Sequence, residues 1–175
     1  MVSLDGFIED ANKKIDWHVW DKEMDKYMNG FLDQIDIILL GRVAYQLMES
    51  YWPTAEAEDS LITEKMNTLQ KIVFSKTLKE AHWNNTTVIR ENITEEIARL
   101  KQLPGKNLVI FGGADIISTF MRLSLFDEFH IIVNPVVLGS GTPLFKNIDD
   151  KQNLRLLKTH SFKCGNTVLS YEPLK

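Results

Sequence analysis

Apolar and polar residues follow one another in this chain with two periods. After Asp21 the apolar positions are Met24, Tyr27, Met28, Phe31, Leu32 and Ile35. The spacing i, i+3, i+4, i+7, i+8 predicts a helix with one buried face, weakened slightly by Gly30. "DIILLG" then reads as a buried strand, "RVAYQLMES" as a short helix and "SLITEKMNTLQ" as another. "KIVFS" and "TTVIR" read as strands. Thr94 and the two glutamates after it mark a helix start, and "ITEEIARLKQL" runs on to Pro104-Gly105. "NLVIF" is a strand, "GADIISTFMRLS" a helix, and "EFHIIVNPVV" a long strand broken at Pro135, which has no N–H to donate. Residues 2–8 read as a first strand, "EDANKK" as a polar turn and "LGSGTPLF" as a loop. Two alternating runs, Leu154–Phe162 and Thr167–Tyr171, meet near Gly165-Asn166, a hairpin signal. Strands alternating with helices predict a largely parallel sheet covered on both faces. The expected architecture is therefore a single α/β domain over residues 1–175. Its sheet is mixed and mostly parallel, flanked by helices, with a C-terminal antiparallel hairpin.

Three strand ends share one pattern. Gly112-Gly113 stands where a strand hands over to a helix. Glycine lets a ligand approach the backbone, and the first helical amides have no partner inside the helix and favour negative charge. A phosphate fits that description; so does a plain tight turn that binds nothing. "IILLGRVAY" repeats the pattern and adds Arg42, and "IVFSKTL" ends a strand on Ser75, Lys76 and Thr77. In open α/β sheets ligands bind at such ends. Two cations and two hydroxyls near a phosphate turn suggest a dinucleotide with an extra phosphate, NADP rather than NAD, with a guanidinium on the 2′-phosphate. "GGAD" is not the G-x-G-x-x-G fingerprint, and no acidic residue follows about twenty residues on. No P-loop Gly-Lys-Ser/Thr follows either.

Composition narrows the partners. The net charge is −4 and no run of Lys or Arg occurs, so no nucleic-acid partner is expected. No apolar run approaches the ~20 residues of a membrane span, and "MVSLDGFIED" has no basic or long apolar region of a signal peptide. The lone Cys164 forms no internal disulfide; a cytoplasmic location and a structural role for it are the expectation. His18, His82, His130 and His160 are scattered without ligand spacing, so no metal is expected.

In order along the chain, "SLDGFI", "LLGRVAY", "IVFSKTL", "VIFGGADI" and "NPVVLGSGTPLF" resemble the dihydrofolate reductase superfamily. The bacterial branch that looks like the reductase domain of the riboflavin-biosynthesis deaminase-reductase is the nearest match. The resemblance spans nearly the whole chain. It implies an NADPH-dependent oxidoreductase moving hydride to a small pteridine- or pyrimidine-like heterocycle, in the manner of a 5-amino-6-(5-phosphoribosylamino)uracil reductase. The alternative is a nucleotide-binding or regulatory module of the same fold without turnover. The resemblance assigns Leu40, Gly41, Arg42, Ser75, Lys76 and Thr77 to the adenosine and its 2′-phosphate. Gly112, Gly113, Ala114, Asp115 and Ile116 fall to the pyrophosphate. It also implies a homodimer. Riboflavin reductases of this kind carry a substrate-contacting glutamate just before the glycine pair, where this chain has Phe111. Dihydrofolate reductases carry an acidic residue on the first long helix, where Asp21 and Asp25 are the candidates.

Hydride transfer needs mainly positioning, with a proton donor assisting. Asp5, before Gly6, is a candidate donor or a simple turn residue. Asp16 and Trp17, read as entering the first long helix, are candidates to hydrogen-bond and to lie against a flat substrate ring; their alternatives are a helix cap and a core aromatic. "VLGSGTPLF" closes over a nicotinamide or merely feeds the hairpin.

Overall fold

The computed structural model describes residues 1–55 and 60–174. Its elements are β1 (Phe7–Asp10), α1 (Lys22–Leu32), β2 (Ile35–Gly41), α2 (Arg42–Tyr51), a 3-10 turn (Trp52–Thr54), α3 (Ser60–Thr68), β3 (Gln70–Phe74), β4 (Thr86–Ile89), α4 (Ile93–Lys101), β5 (Asn107–Ile110), α5 (Ala114–Arg122), β6 (Phe129–Val133), β7 (Gly141–Pro143), β8 (Leu154–Ser161) and β9 (Thr167–Pro173). The chain divides into two compact units. One is Asp25–Ile116; the other joins Met1–Met24 to Ile117–Lys175.

The Asp25–Ile116 unit holds a four-stranded parallel sheet in the order β4-β3-β2-β5. β2 is buried along most of its length, which is why "IDIILL" carries almost no polar residues. Its core gathers Leu32, Ile35, Ile38, Leu40, Tyr45, Met66, Val73 and Trp83. Tyr45 is fully buried and tolerated because its hydroxyl is fully used. It donates to Glu49 Oε1 at 2.6 Å and accepts the Trp83 amide at 3.1 Å. A more demanding buried group is Lys71, also fully buried. Its ammonium donates to the carbonyls of Asn67, Leu69 and Asn84 at 3.1, 2.6 and 3.1 Å, and stands 4.4 Å from the centre of the Trp83 ring.

The second unit holds an antiparallel sheet, β6-β9-β8, and the short antiparallel pair β1-β7. A chain of rings runs from its core to the surface, the buried Phe120 and Phe129 with the half-buried Phe126 between them and the exposed Phe145 beyond, successive centroids in the order Phe120, Phe126, Phe129, Phe145 being 5.7, 4.7 and 6.2 Å apart.

Four boundaries differ from those expected. The first strand starts at Phe7 rather than Val2, because the Ser3 hydroxyl accepts the Phe7 amide at 2.9 Å and the Gly6 amide bonds the Ser3 carbonyl at 3.0 Å. That turn places Gly6 at φ +87°. Asp16 and Trp17 lie in a turn, not at a helix entrance. Asp21 begins the helix instead, its carboxylate accepting the Met24 amide at 2.9 Å. Thr94 is already inside α4, which starts after Asn92. The loop after Pro135 contains β7, whose order comes from β1, more than 130 residues earlier in the sequence.

Candidate functional site

Parallel pairing aligns the carboxyl ends of adjacent strands. Gly41 is the partner of Phe74 across β2 and β3, and Leu39 of Ile110 across β2 and β5. The segments that follow, Arg42, Ser75–Thr77 and Phe111–Gly113, therefore leave one edge of the sheet side by side. The three strand ends that look alike in sequence adjoin in space.

Glycine governs how closely they approach. A methyl group on Gly113 would come 3.7 Å from Ala44 Cβ and 4.0 Å from Gly41 Cα; one on Gly41 would stand 3.3 Å from Ile116 Cβ. Gly112 and Gly113 adopt φ +120° and +89°, where side chains are strained. A methyl on Gly112 would meet nothing within 4 Å, so the turn leaves open space there.

The two helix starts on this edge differ in charge. α2 begins at Gly41 with no side-chain cap and no acidic residue in its first turn, so its leading end stays electropositive. Arg42 adds a full positive charge. It is exposed and donates to Gln46 Oε1 at 3.1 Å. α5 has the exposed Asp115 in its first turn, which opposes a second anion at that end. At the end of β3, on the other side of β2 from β5, the Ser75 hydroxyl oxygen accepts the amides of Thr77 and Leu78 at 3.2 and 2.9 Å. Arg90 braces the same turn by donating to the Leu78 and Lys79 carbonyls at 2.7 and 3.3 Å. Lys76 and Thr77 remain exposed. Leu40, Ala114 and Ile116 are buried core side chains, so only their backbone is available to a ligand. Phe111 packs against the core with its ring 6.3 Å from Phe31.

Asp25, half-buried on α1, also belongs to this unit. The remaining candidates belong to the other unit. Asp5 is fastened by three donors: the Ser3 hydroxyl at 2.6 Å and the amides of Leu138 and Gly139 at 3.1 and 2.7 Å. Those bonds, the Ser3 hydroxyl foremost, hold its carboxyl down at about 2. It stays ionised at neutral pH and ties a turn to a loop, which does not suit a proton donor. Asp16 is exposed, and the Trp17 indole N–H donates to the Lys14 carbonyl at 3.1 Å. His18 stands edge-on to Trp17 at 4.3 Å, and burial lowers its imidazole to about 4. Asp21 is occupied by the amides of Met24 and Cys164.

Sequence reasoning missed Lys71, Arg90 and two fully buried asparagines, Asn134 and Asn166. A lysine at the second position of a strand reads as solvated, and an asparagine beside Pro135 or in a hairpin reads as a turn residue. No local pattern separates these from surface residues.

A parallel α/β sheet with glycine-ended strands, together with a three-stranded antiparallel sheet, is a dihydrofolate-reductase-like fold. The model of the RibD C-terminal domain family matches residues 1–170, and the chain belongs to that family. The chain is 41% identical to the uncharacterized protein YyaP of Bacillus subtilis (strain 168), over 97% of this chain and 90% of that one. Among solved structures it is similar to a protein from Shewanella sp. PV-4 named for riboflavin biosynthesis, with a TM-score of 0.80 at 23% identity over 99% and 96% of the two chains. It is also similar to the dihydrofolate reductase of Enterococcus faecalis, solved with NADP(H), with a TM-score of 0.64 at 15% identity over 99% and 93%. The fold is thus shared with reductases.

Proposed function

We propose that the protein is an NADPH-dependent reductase of small heterocycles of pteridine or pyrimidine type. The observation that carries this reading is the alignment of the β3, β2 and β5 ends, with bare glycines and an uncapped, acid-free helix start beside Arg42. A phosphate-bearing dinucleotide fits that edge: the amides of α2 suit an anion, and the open side of Gly112 admits a ligand that a side chain would block. In this reading Arg42, Ser75, Lys76 and Thr77 take the adenosine and its 2′-phosphate, and the Gly112-Gly113 backbone runs along the pyrophosphate. The bound nucleotide would supply the hydride. Phe111 brings no charge to the acceptor, which favours a ring not recognised through a carboxylate at that position.

The state of Asp5 favours a second reading, a nucleotide-binding or regulatory module without turnover, since its carboxyl carries no proton to give. Among the described residues no helix is long and apolar enough to cross a membrane, and a cytoplasmic location is part of the proposal. So is a homodimer, which light scattering would test. The main experiment is a thermal-shift titration with NADPH and NADH, followed by NADPH oxidation over a panel of pterins and pyrimidines. NADPH at a hundred times its Kd is expected to add ~2.7 kcal/mol of stability. Binding without oxidation of any acceptor would leave the second reading, and no shift at all would end both.

A further inference from the structure

β3 ends at Phe74, and the next regular element, β4, begins at Thr86. The connection between them carries Ser75, Lys76 and Thr77, and it has no ladder of backbone bonds to fix their shape. Near its start it is tied down at a few points instead. The Ser75 amide bonds the carbonyl of Ile89, the last residue of β4, at 3.0 Å. The Ser75 hydroxyl oxygen takes the amides of Thr77 and Leu78, and the Leu78 side chain is buried in the core of the Asp25–Ile116 unit. Lys76 and Thr77 stand exposed between these anchors.

Arg90 completes the hold from the end of β4, which it directly follows. The residue is exposed, yet its guanidinium spreads over two successive carbonyls, Nη1 donating to Leu78 at 2.7 Å and Nη2 to Lys79 at 3.3 Å. An arginine kept for surface charge alone leaves its head in water. This one commits two N–H groups to neutral acceptors just past the exposed pair. A planar guanidinium presents those groups at a fixed spacing, whereas an ammonium is a point donor on a flexible stem.

We propose that Arg90 is a positioning residue for nucleotide preference: by holding the Leu78 and Lys79 carbonyls it keeps Ser75, Lys76 and Thr77 in the shape that receives the 2′-phosphate, without touching the phosphate itself. The shape of the turn, and not the charge of residue 90, then separates NADPH from NADH. This rests on the proposed NADPH site, with the Ser75–Thr77 turn as the 2′-phosphate contact.

The test uses Arg90→Lys and Arg90→Gln in the full chain, with Arg42→Ala as the reference. Two readouts are needed: the dissociation constants of NADPH and NADH by fluorescence titration, and amide hydrogen exchange at Thr77 and Leu78. Both Arg90 variants are expected to weaken NADPH ~10-fold, the worth of about one hydrogen bond to a charged group, and to leave NADH within about twofold. Exchange at Thr77 and Leu78 should rise by a similar factor while that of β2 is unchanged. Arg90→Lys is the decisive variant, because it keeps the charge and loses the fork; should Arg90→Gln fail to fold, it carries the test alone. Full NADPH affinity in Arg90→Lys overturns the proposal and makes residue 90 a charge for the phosphate. Unchanged exchange at Thr77 and Leu78 overturns it too. So do equal losses for both nucleotides with faster exchange in β2, which mark a purely structural role. Failure of the NADPH site itself looks different: the unsubstituted protein then binds both nucleotides alike, and the role of Arg90 falls with it. If Arg42→Ala removes the preference while both Arg90 variants keep it, the site stands and this proposal falls.

Discussion

The two ends of the parallel sheet are built on opposite plans. At the amino end most polar groups around Lys71 are paired, with the buried Thr86 hydroxyl as an exception. Lys71 collects three carbonyls, Asn67 accepts the Trp83 indole N–H at 2.7 Å, and Asn85 donates to the Thr68 carbonyl at 2.8 Å. At the carboxyl end α2 starts without a side-chain cap, Gly112 faces open space and the exposed Arg42 donates only to Gln46 among the described residues. The difference separates residues that hold the fold from residues with bonding capacity left for a ligand. A satisfied group stabilises the native state whether or not anything binds. An unsatisfied helix start costs stability until an anion arrives.

Substitutions at the two ends should therefore fail in different ways. The largest effect is expected at the closed end. Lys71→Met leaves three carbonyls without their donor and should lower unfolding stability by about 2–4 kcal/mol, read by denaturant melts, with NADPH affinity little changed. Its pH dependence has a definite sign. Burial holds Lys71 at about 8, below its ordinary 10.5, so the unfolded chain binds more protons between those values. Stability should rise with pH across that window, and Lys71→Met should lose the rise.

At the open end Arg42→Ala should weaken NADPH by ~1.5–3 kcal/mol, roughly ten- to over a hundredfold, with little change for NADH and little change in melting. Equal losses for both nucleotides would remove the 2′-phosphate from the assignment. Gly112→Ala sharpens the contrast, because it places a methyl group in open space on a strained backbone. A stability loss of about 1–2 kcal/mol is expected from the left-handed conformation, together with weaker NADPH binding by fluorescence titration. Normal NADPH binding in this variant would mean that nothing passes that turn.

The smallest effect is expected outside that sheet. The Asp5 carboxyl lies at about 2, below its ordinary 3.8, so its stabilising bonds are complete above pH ~4 and are lost as pH falls toward 2. Asp5→Asn should blunt acid unfolding in that window. It should leave the pH profile of any turnover unchanged from pH ~5 to 9, since an ionised carboxylate has no proton to transfer. A profile that loses its acidic limb would return Asp5 to the chemistry.

Legibility differed between the two units for a physical reason. In Asp25–Ile116, "DIILLG", "KIVFS" and "NLVIF" are short apolar runs ended by glycine, serine or a glycine pair, and each became a parallel strand within a residue or two of the expected limits. Burial on both faces writes itself into such strands. In the other unit the elements depend on distant partners. β7 is three residues long and exists because β1 pairs with it, and the turn at residues 3–6 depends on the Ser3 side chain. The candidate residues divide in the same way: the glycines and Arg42 are visible by type and place, whereas Asp5 looks available until the three donors around it are seen.

By itself the sequence determined the alternation of strands and helices and the glycine, hydroxyl and guanidinium groups that end three strands, because burial and backbone freedom act on a residue and its immediate neighbours. Only the tertiary structure decided that those three ends share one edge, that Asp5 is already bonded, and that Lys71, Asn134 and Asn166 lie inside. Strand order and hydrogen-bond satisfaction depend on residues tens of positions apart, and no local pattern carries that information.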